Sequence, residues 1–241
     1  MTASVPDPAT GLPIGQIVDG EPARRPSRDL RLEGRHVSLV PLDPAGHADD
    51  LYRALAGADL ARLYRYLFAE PPTDAAAFRR ASEAAAAGDD PFALAILDRG
   101  TGLAVGQASY MRIEPAHRAI EVGHILFAPA LQRSPGGTES MFLMARHAFE
   151  TLGYRRYEWK CDALNAPSRR AAARYGFVHE GVFRDHMIVK GRSRDTAWFA
   201  MTGADWPARR LAFERWLDPA NFYPDGRQMR SLSSLNLDTA S

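Results

Sequence analysis

The sequence predicts a mixed α/β fold built on a mostly antiparallel sheet flanked by helices. Three observations carry this reading. Strand-like segments follow one another between residues 92 and 128, the first two joined by the turn Asp98-Arg99-Gly100-Thr101-Gly102. A helical period from Met141 to Leu152 then leads into the strand-like run "RRYEWKCDAL", an order that requires a parallel crossover near residue 140. Finally, "EGVFRDHMIVKGRSRDTAWFAMT" reads as a closing hairpin that turns at Lys190-Gly191-Arg192.

In chain order, residues 1–30 are rich in proline, arginine and small polar residues and read as a tail or a strap on the surface. From Arg31, "LRLEGRHVSLVPLD" alternates apolar and polar residues, with Val37 and Leu39 on one face of a strand. Leu51 and Leu55 stand at helical spacing in "PAGHADDLYRALAG". The alanine-rich "TDAAAFRRASEAAAAGDD" reads as a helix capped by Thr73 or Asp74 and stopped at Gly88. Two strands in "PFALAILDRGTGLAVGQASYMRIE" precede a third, "AIEVGHILFAP", which Pro129 ends. Met141, Ala145, Ala148, Phe149 and Leu152 mark one face of the next helix, and Gly153 stops it. In "NAPSRRAAARYGF", Asn165 is the N-cap of a short helix, Pro167 lies in its first turn and Gly176 at its end. The expected organisation is a tail at 1–30, a domain at 31–203 and an extension at 204–241. Trp206, Phe213, Trp216, Leu217, Phe222 and Tyr223 give that extension enough aromatic area to pack back on the domain.

Composition narrows the functional classes. The chain has 241 residues, 46% of them hydrophobic, enough for a sizeable core. Thirty basic residues oppose twenty-nine acidic ones, which gives no reason to expect nucleic acid as a partner and argues mildly against a strongly charged substrate. A single cysteine, Cys161, allows no internal disulfide and no cysteine-based metal site. The N-terminus lacks the pattern of a secretory signal, and no apolar run approaches the ~20 residues of a membrane span. A cytoplasmic protein without a membrane partner is expected. Seven histidines form no ligand pair of recognised spacing, so no metal is expected either.

Two features point to chemistry. "LQRSPGGTES" lies between an apolar strand and a helix, where unpaired amides at a helix start bind phosphate oxygens and glycines let an anion approach. Read alone it favours a plain helix start, with Ser134 as N-cap, Pro135 first and the glycines turning the chain. Glu121 is a carboxylate within an apolar strand. Burial there would raise its pKa and suit it to general-base work, whereas an outward-facing edge position would explain it without function. His124 follows at an offset of three, which regular alternation places on the opposite face. There is no Gly-x-Ser-x-Gly elbow, and Cys161 reads as a core residue.

The order of these features resembles the GNAT superfamily of acyl-CoA-dependent N-acetyltransferases, over about residues 31–202. The late motif Asn165, Ser168, Gly176-Phe177 and Glu180-Gly181 is similar to that of the ribosomal-protein N-terminal acetyltransferase branch. The resemblance implies a sheet with a splayed strand near 120–128 and acetyl-CoA as acyl donor. It maps the diphosphate loop onto Gln132, Arg133, Ser134, Pro135, Gly136 and Gly137, with the amides of Gly136 to Thr138 holding the phosphates. It further implies that the backbone of Leu126 and Phe127 pairs with pantetheine and polarises the thioester. Asn165 would bond the pantetheine chain, Ser168 would donate to the departing thiolate, and Glu121 would serve as base through water.

Two positions depart from the pattern. Pro135 replaces a glycine and has no N–H, and Ala172 stands where many relatives carry a tyrosine acid; Tyr175 does not match that position. The implied function is acetyl transfer to a primary amine of a small molecule or of a peptide or protein N-terminus. The alternative is a non-catalytic acyl-CoA-binding or scaffold protein of the same fold. Monomer and homodimer both remain open at this stage.

Overall fold

The computed structural model describes residues 4–238, so the ends of the expected tail and extension, 1–3 and 239–241, lie outside the described residues. Strands β1 (Ser4–Pro6) and β2 (Pro13–Gly15) form a small antiparallel ribbon of their own. The chain then straps across the domain, with Ala23 N–H donating to Pro115 O (3.1 Å) and Arg24 N–H to Leu152 O (2.8 Å). Next come β3 (Leu32–Glu33) and β4 (Val37–Pro41), followed by α1 (Pro44–Ala54), the short α2 (Leu60–Leu63) and α3 (Ala75–Ala87). Of the two caps considered for α3, Asp74 is used: its carboxylate accepts from Ala77 N–H at 2.7 Å, and the helix stops at Gly88.

The main sheet continues with β5 (Phe92–Asp98), β6 (Ala104–Glu114) and β7 (Ala119–Phe127). Helix α4 (Pro135–Arg146) crosses to β8 (Arg156–Asp162), and α5 (Ala166–Arg174) leads to the hairpin β9 (Val178–Val189) and β10 (Arg192–Thr202). Spatial order is β3-β4-β5-β6-β7-β8-β10-β9, antiparallel throughout except for the parallel β7–β8 pair. That pair is where the sequence required a crossover.

Both faces of the central sheet are covered. In β5, Leu94 and Ile96 join a core with Tyr110, Ile120 and Met144, while Ala93 and Ala95 join a second core under α1 and α3 with Leu51 and Phe78. Burial on both faces explains why "FALAIL" reads as a continuous apolar run.

Helix α4 differs from the single apolar face read in the sequence: every residue from Gly136 to Ala145 is buried. The cover comes from the C-terminal segment, α6 (Trp206–Leu217) and α7 (Leu232–Asp238), whose Phe213 stacks on Phe142 at 5.3 Å and whose Trp206 stacks on Phe149 at 5.1 Å. Regular α-helix ends at Arg146, and a π-helical turn, His147–Thr151, carries the chain to Gly153, which has φ +83°.

Candidate active site

The site is built on a gap in the sheet. β7 pairs with β8 only from Ala119↔Arg156 to Val122↔Trp159. On its other side the β6 register jumps from Ser109↔Gly123 to Gln107↔Leu126, so His124 and Ile125 together oppose Ala108. This bulge, with His124 at φ +49°, bends β7 away from β8. From Gly123 to Phe127, including Leu126, the strand has a partner on the β6 side only. Gln132 caps the segment, its Nε2 donating to Phe127 O at 2.8 Å.

The N-terminus of α4 closes one end of the gap, and its first turn is pinned from within. Ser134 is the N-cap: its Oγ accepts from Gly137 N–H (3.1 Å), and Ser134 O accepts from Thr138 N–H (3.4 Å). Two of the three amides expected to hold phosphates are therefore engaged inside the turn. Arg133 and Gly136 have amide N–H groups with no internal partner among the described residues.

The glycines of this turn stand where packing leaves no room for a side chain. A Cβ on Gly137 would stand 2.6 Å from Leu131 O, and one on Gly136 would stand 3.0 Å from Val37 Cγ1. They let the helix lie against its own loop and β4, so the room they make is filled by protein. Arg133, at φ +58°, is exposed, and its side chain has no partner among the described residues.

A residue not singled out in the sequence anchors this turn. Buried Glu139 on α4 accepts from three consecutive backbone N–H groups, Arg35 (2.7 Å), His36 (2.6 Å) and Val37 (2.9 Å). Its only sequence signal is a charge within a helix that packs all round.

On the α5 side, Asn165 Oδ1 accepts from Ser168 N–H at 3.1 Å, which confirms the N-cap. Ser168 Oγ accepts from the indole N–H of Trp159 at 2.9 Å and also contacts the Cys161 thiol, which burial pushes up in pKa. Trp159 is a second residue that sequence reading missed; it fixes the serine hydroxyl and leaves that hydroxyl's own proton to donate. Ala172 is fully buried. The Tyr175 hydroxyl meets Thr138 in the first turn of α4 and Arg174 at the end of α5.

The opposite face of β8 carries charge. Glu121 is buried, with Oε2 at 2.9 Å from Arg112 Nε and 3.0 Å from Lys160 Nζ. Lys160 also reaches Glu158 at 2.6 Å and lies over the Trp198 ring, 3.9 Å from its centroid. A bulge in β6 with Arg112 at φ +47° aims that arginine at Glu121. Burial pushes the Glu121 carboxyl up, against the pull of Lys160 and Arg112. An outward-facing edge position is thereby excluded.

His124 departs from the expected opposite face. The bulge ends the alternation, and its ring turns to Phe68 (6.1 Å between centroids) on the side where Glu121 and Arg112 lie. Burial and Arg112 hold its imidazole below the usual pKa, so it is uncharged at neutral pH. No helix of the described residues is long and apolar enough to cross a membrane.

Comparison with known proteins accords with this geometry. A family model described as the acetyltransferase (GNAT) domain matches residues 36–178. A GCN5-related N-acetyltransferase of Brucella melitensis is 43% identical, with TM-score 0.88 over 90% of this chain and 98% of that one. A GNAT-family acetyltransferase of Chromobacterium violaceum is 37% identical, with TM-score 0.75 over 84% of this chain and 100% of its own. RimL, an acetyltransferase of the α-amino group of ribosomal protein L7/L12, shares the fold at 20% identity and TM-score 0.62 over 72% of this chain and 94% of its own. Among curated proteins nothing matches the sequence. The GNAT domain spans more than half of the chain and two structural relatives exceed a third in identity, so the protein belongs to the GNAT family and is an N-acetyltransferase.

Proposed function

We propose that the protein moves an acetyl group from acetyl-CoA directly to a primary amine of a small molecule or a peptide N-terminus. The observation that carries the proposal is the run of β7 from Gly123 to Phe127, which has no strand partner on the β8 side. An edge with free backbone groups accepts an extended amide-bearing chain by strand-like pairing. Acetyl-CoA supplies the thioester, and the amine nitrogen forms its bond to the acyl carbon as the C–S bond breaks. The Arg133 and Gly136 amides, with the Arg133 side chain, are the donors we assign to the phosphates. Leu126 and Phe127 lend backbone groups to the pantetheine arm and the thioester oxygen, and Asn165 lends its free amide. Ser168, already accepting from Trp159, donates its proton to the leaving thiolate. Glu121 takes the proton of the amine through water; its raised pKa makes it a better acceptor than an ordinary carboxylate.

Two measurements test this. Acetyl-CoA should raise the melting temperature, and release of free thiol should depend on an added amine. Binding without turnover on any amine would favour the non-catalytic alternative, and no binding would overturn both readings. Glu121→Gln should lower turnover by about 10²-fold with acetyl-CoA affinity retained, the usual scale of general-base loss. The acid limb of its pH profile should disappear, because only the ionised carboxylate accepts a proton. Wild-type rates would remove Glu121 as base.

A further inference from the structure

The charged face of β8 and β10 holds one buried cation without a counter-ion among the described residues. Lys160 is paired with Glu121 and Glu158, Arg112 with Glu121, and Arg156 with Glu158 and Glu180. Arg194, on the same face beyond the end of β8, is only 7% exposed. Among the described residues its guanidinium makes no ion pair and no hydrogen bond, and its Nε is enclosed without an acceptor. Its guanidinium lies over Phe68, whose ring centroid is 5.0 Å from its Cζ.

Neighbouring groups do not neutralise it. Asp162 and Glu121 act on Arg194 only at a distance, with Asp162 Oδ1 accepting from Leu164 N–H and Glu121 held by Lys160 and Arg112. Cys161 carries a raised pKa and stays a thiol, Arg112 is a like charge, and His124, across the Phe68 ring, is neutral. Enclosing an unpaired guanidinium is costly, and five donors in a planar fork match a carboxylate edge.

This position belongs to the acceptor half of the cleft. Trp159 points from β8 toward Ser168, whereas Lys160 and its neighbour Trp198 occupy the other face together with Glu121. Phe68 spans from Arg194 to His124 at the β7 bulge, so one side chain joins the free guanidinium to the mouth of the gap.

We infer that Arg194 binds a carboxylate carried by the acceptor itself, which makes the acceptor a small amino-acid-like molecule. Its carboxylate lies on the Arg194 fork, its carbon skeleton packs against Phe68, and its amine reaches the gap between β7 and β8. Such an acceptor is a zwitterion and brings no net charge to a face whose other ions are already paired. A phosphate dianion would instead meet Asp162 and Glu121 with a charge to spare. The inference rests on the acetyl-transfer reading and narrows its acceptor.

The test uses the full chain with acetyl-CoA and matched acceptors: free amino acids, their α-amides, their decarboxylated amines, and short peptides. At least one free amino acid should exceed its amide and its decarboxylated amine by roughly 10²-fold in kcat/KM, the scale of losing a hydrogen bond to a charged group. Arg194→Gln should collapse that ratio toward one through KM, and Arg194→Lys, which keeps the charge but not the fork, should restore only part of it. Without ligand, Arg194→Gln should melt no lower than the parent, because an unpaired buried charge is removed; a structural role would lower the melting temperature. If Arg194→Gln does not fold, a structural role is shown and the inference fails. Equal rates with and without the carboxylate, an unchanged ratio in Arg194→Gln, or turnover of peptides alone would also overturn it. Acetyl-CoA binding with no acetylation of any amino acid would overturn this inference alone, whereas loss of acetyl-CoA binding would overturn the proposed function.

Discussion

Replacing Glu139 by Gln should cost about 3–5 kcal/mol of stability, although the two side chains have nearly the same shape. Glu139 is 5% exposed; its Oε1 accepts from Arg35 N–H, and its Oε2 accepts from His36 and Val37 N–H. A glutamine keeps one acceptor oxygen and turns the other into a donor. Whichever way the amide rotates, at least one buried backbone N–H then faces another N–H. A buried unpaired amide costs about 1–3 kcal/mol, and each surviving bond loses the charge that made it worth about 1.5–3 kcal/mol. For a chain of this size each kcal/mol moves the melting temperature by about 2–4 °C, so a drop of roughly 6–20 °C is expected. Urea unfolding at constant m-value measures the free energy directly. A Gly34→Ala partner sharpens the test. Its Cβ would stand 2.4 Å from the Glu139 carboxyl carbon, so it should damage the parent yet be tolerated beside Glu139→Ala. A Glu139→Gln protein within about 1 kcal/mol of the parent would refute the claim that these three bonds hold α4 to β4.

Other outcomes probe the site and the core. Arg133→Glu, at an exposed loop position, should weaken acetyl-CoA binding by about 10- to 100-fold at low salt, and progressively less as salt rises, without changing the melting temperature of the free protein; titration calorimetry at two salt concentrations checks it. Ser168→Ala should slow thiolate release by about tenfold or more, most strongly below neutral pH, and should leave Trp159 without its acceptor; equal single-turnover rates would remove Ser168 as the acid. Burial, with Arg24 nearby, pushes the His147 imidazole down to about 4. The unfolded chain takes up that proton near 6.5, so between those values only the unfolded state binds it and stability falls as pH drops through the window. His147→Phe should flatten that part of the pH–stability curve, and an unchanged slope would show that other groups set it.

Element order was legible because its signals are local. Asp74, Asn165 and Gly176 sit at their caps, and the alternation of β8 runs unbroken. The site was legible only in outline, since its chemistry depends on who meets whom across the sheet. No property of His124 or Ile125 announces a bulge; it exists because two β7 residues oppose one Ala108 on β6. Glu139 and Arg194 carry the same difficulty. Each is an ordinary charged residue in the sequence, yet both are buried, one among three amides and the other with no counter-ion.

The "PGG" stretch shows what local reading cannot separate. Free space and occupied space look alike in sequence, and both favour glycine. Here Leu131 O and Val37 stand where Cβ atoms on Gly137 and Gly136 would lie. The helix start and the phosphate cradle are therefore not competing readings of that stretch. Ser134 and the glycines build the start of α4 inward, and the amides of Arg133 and Gly136 in the same turn have no internal partner among the described residues.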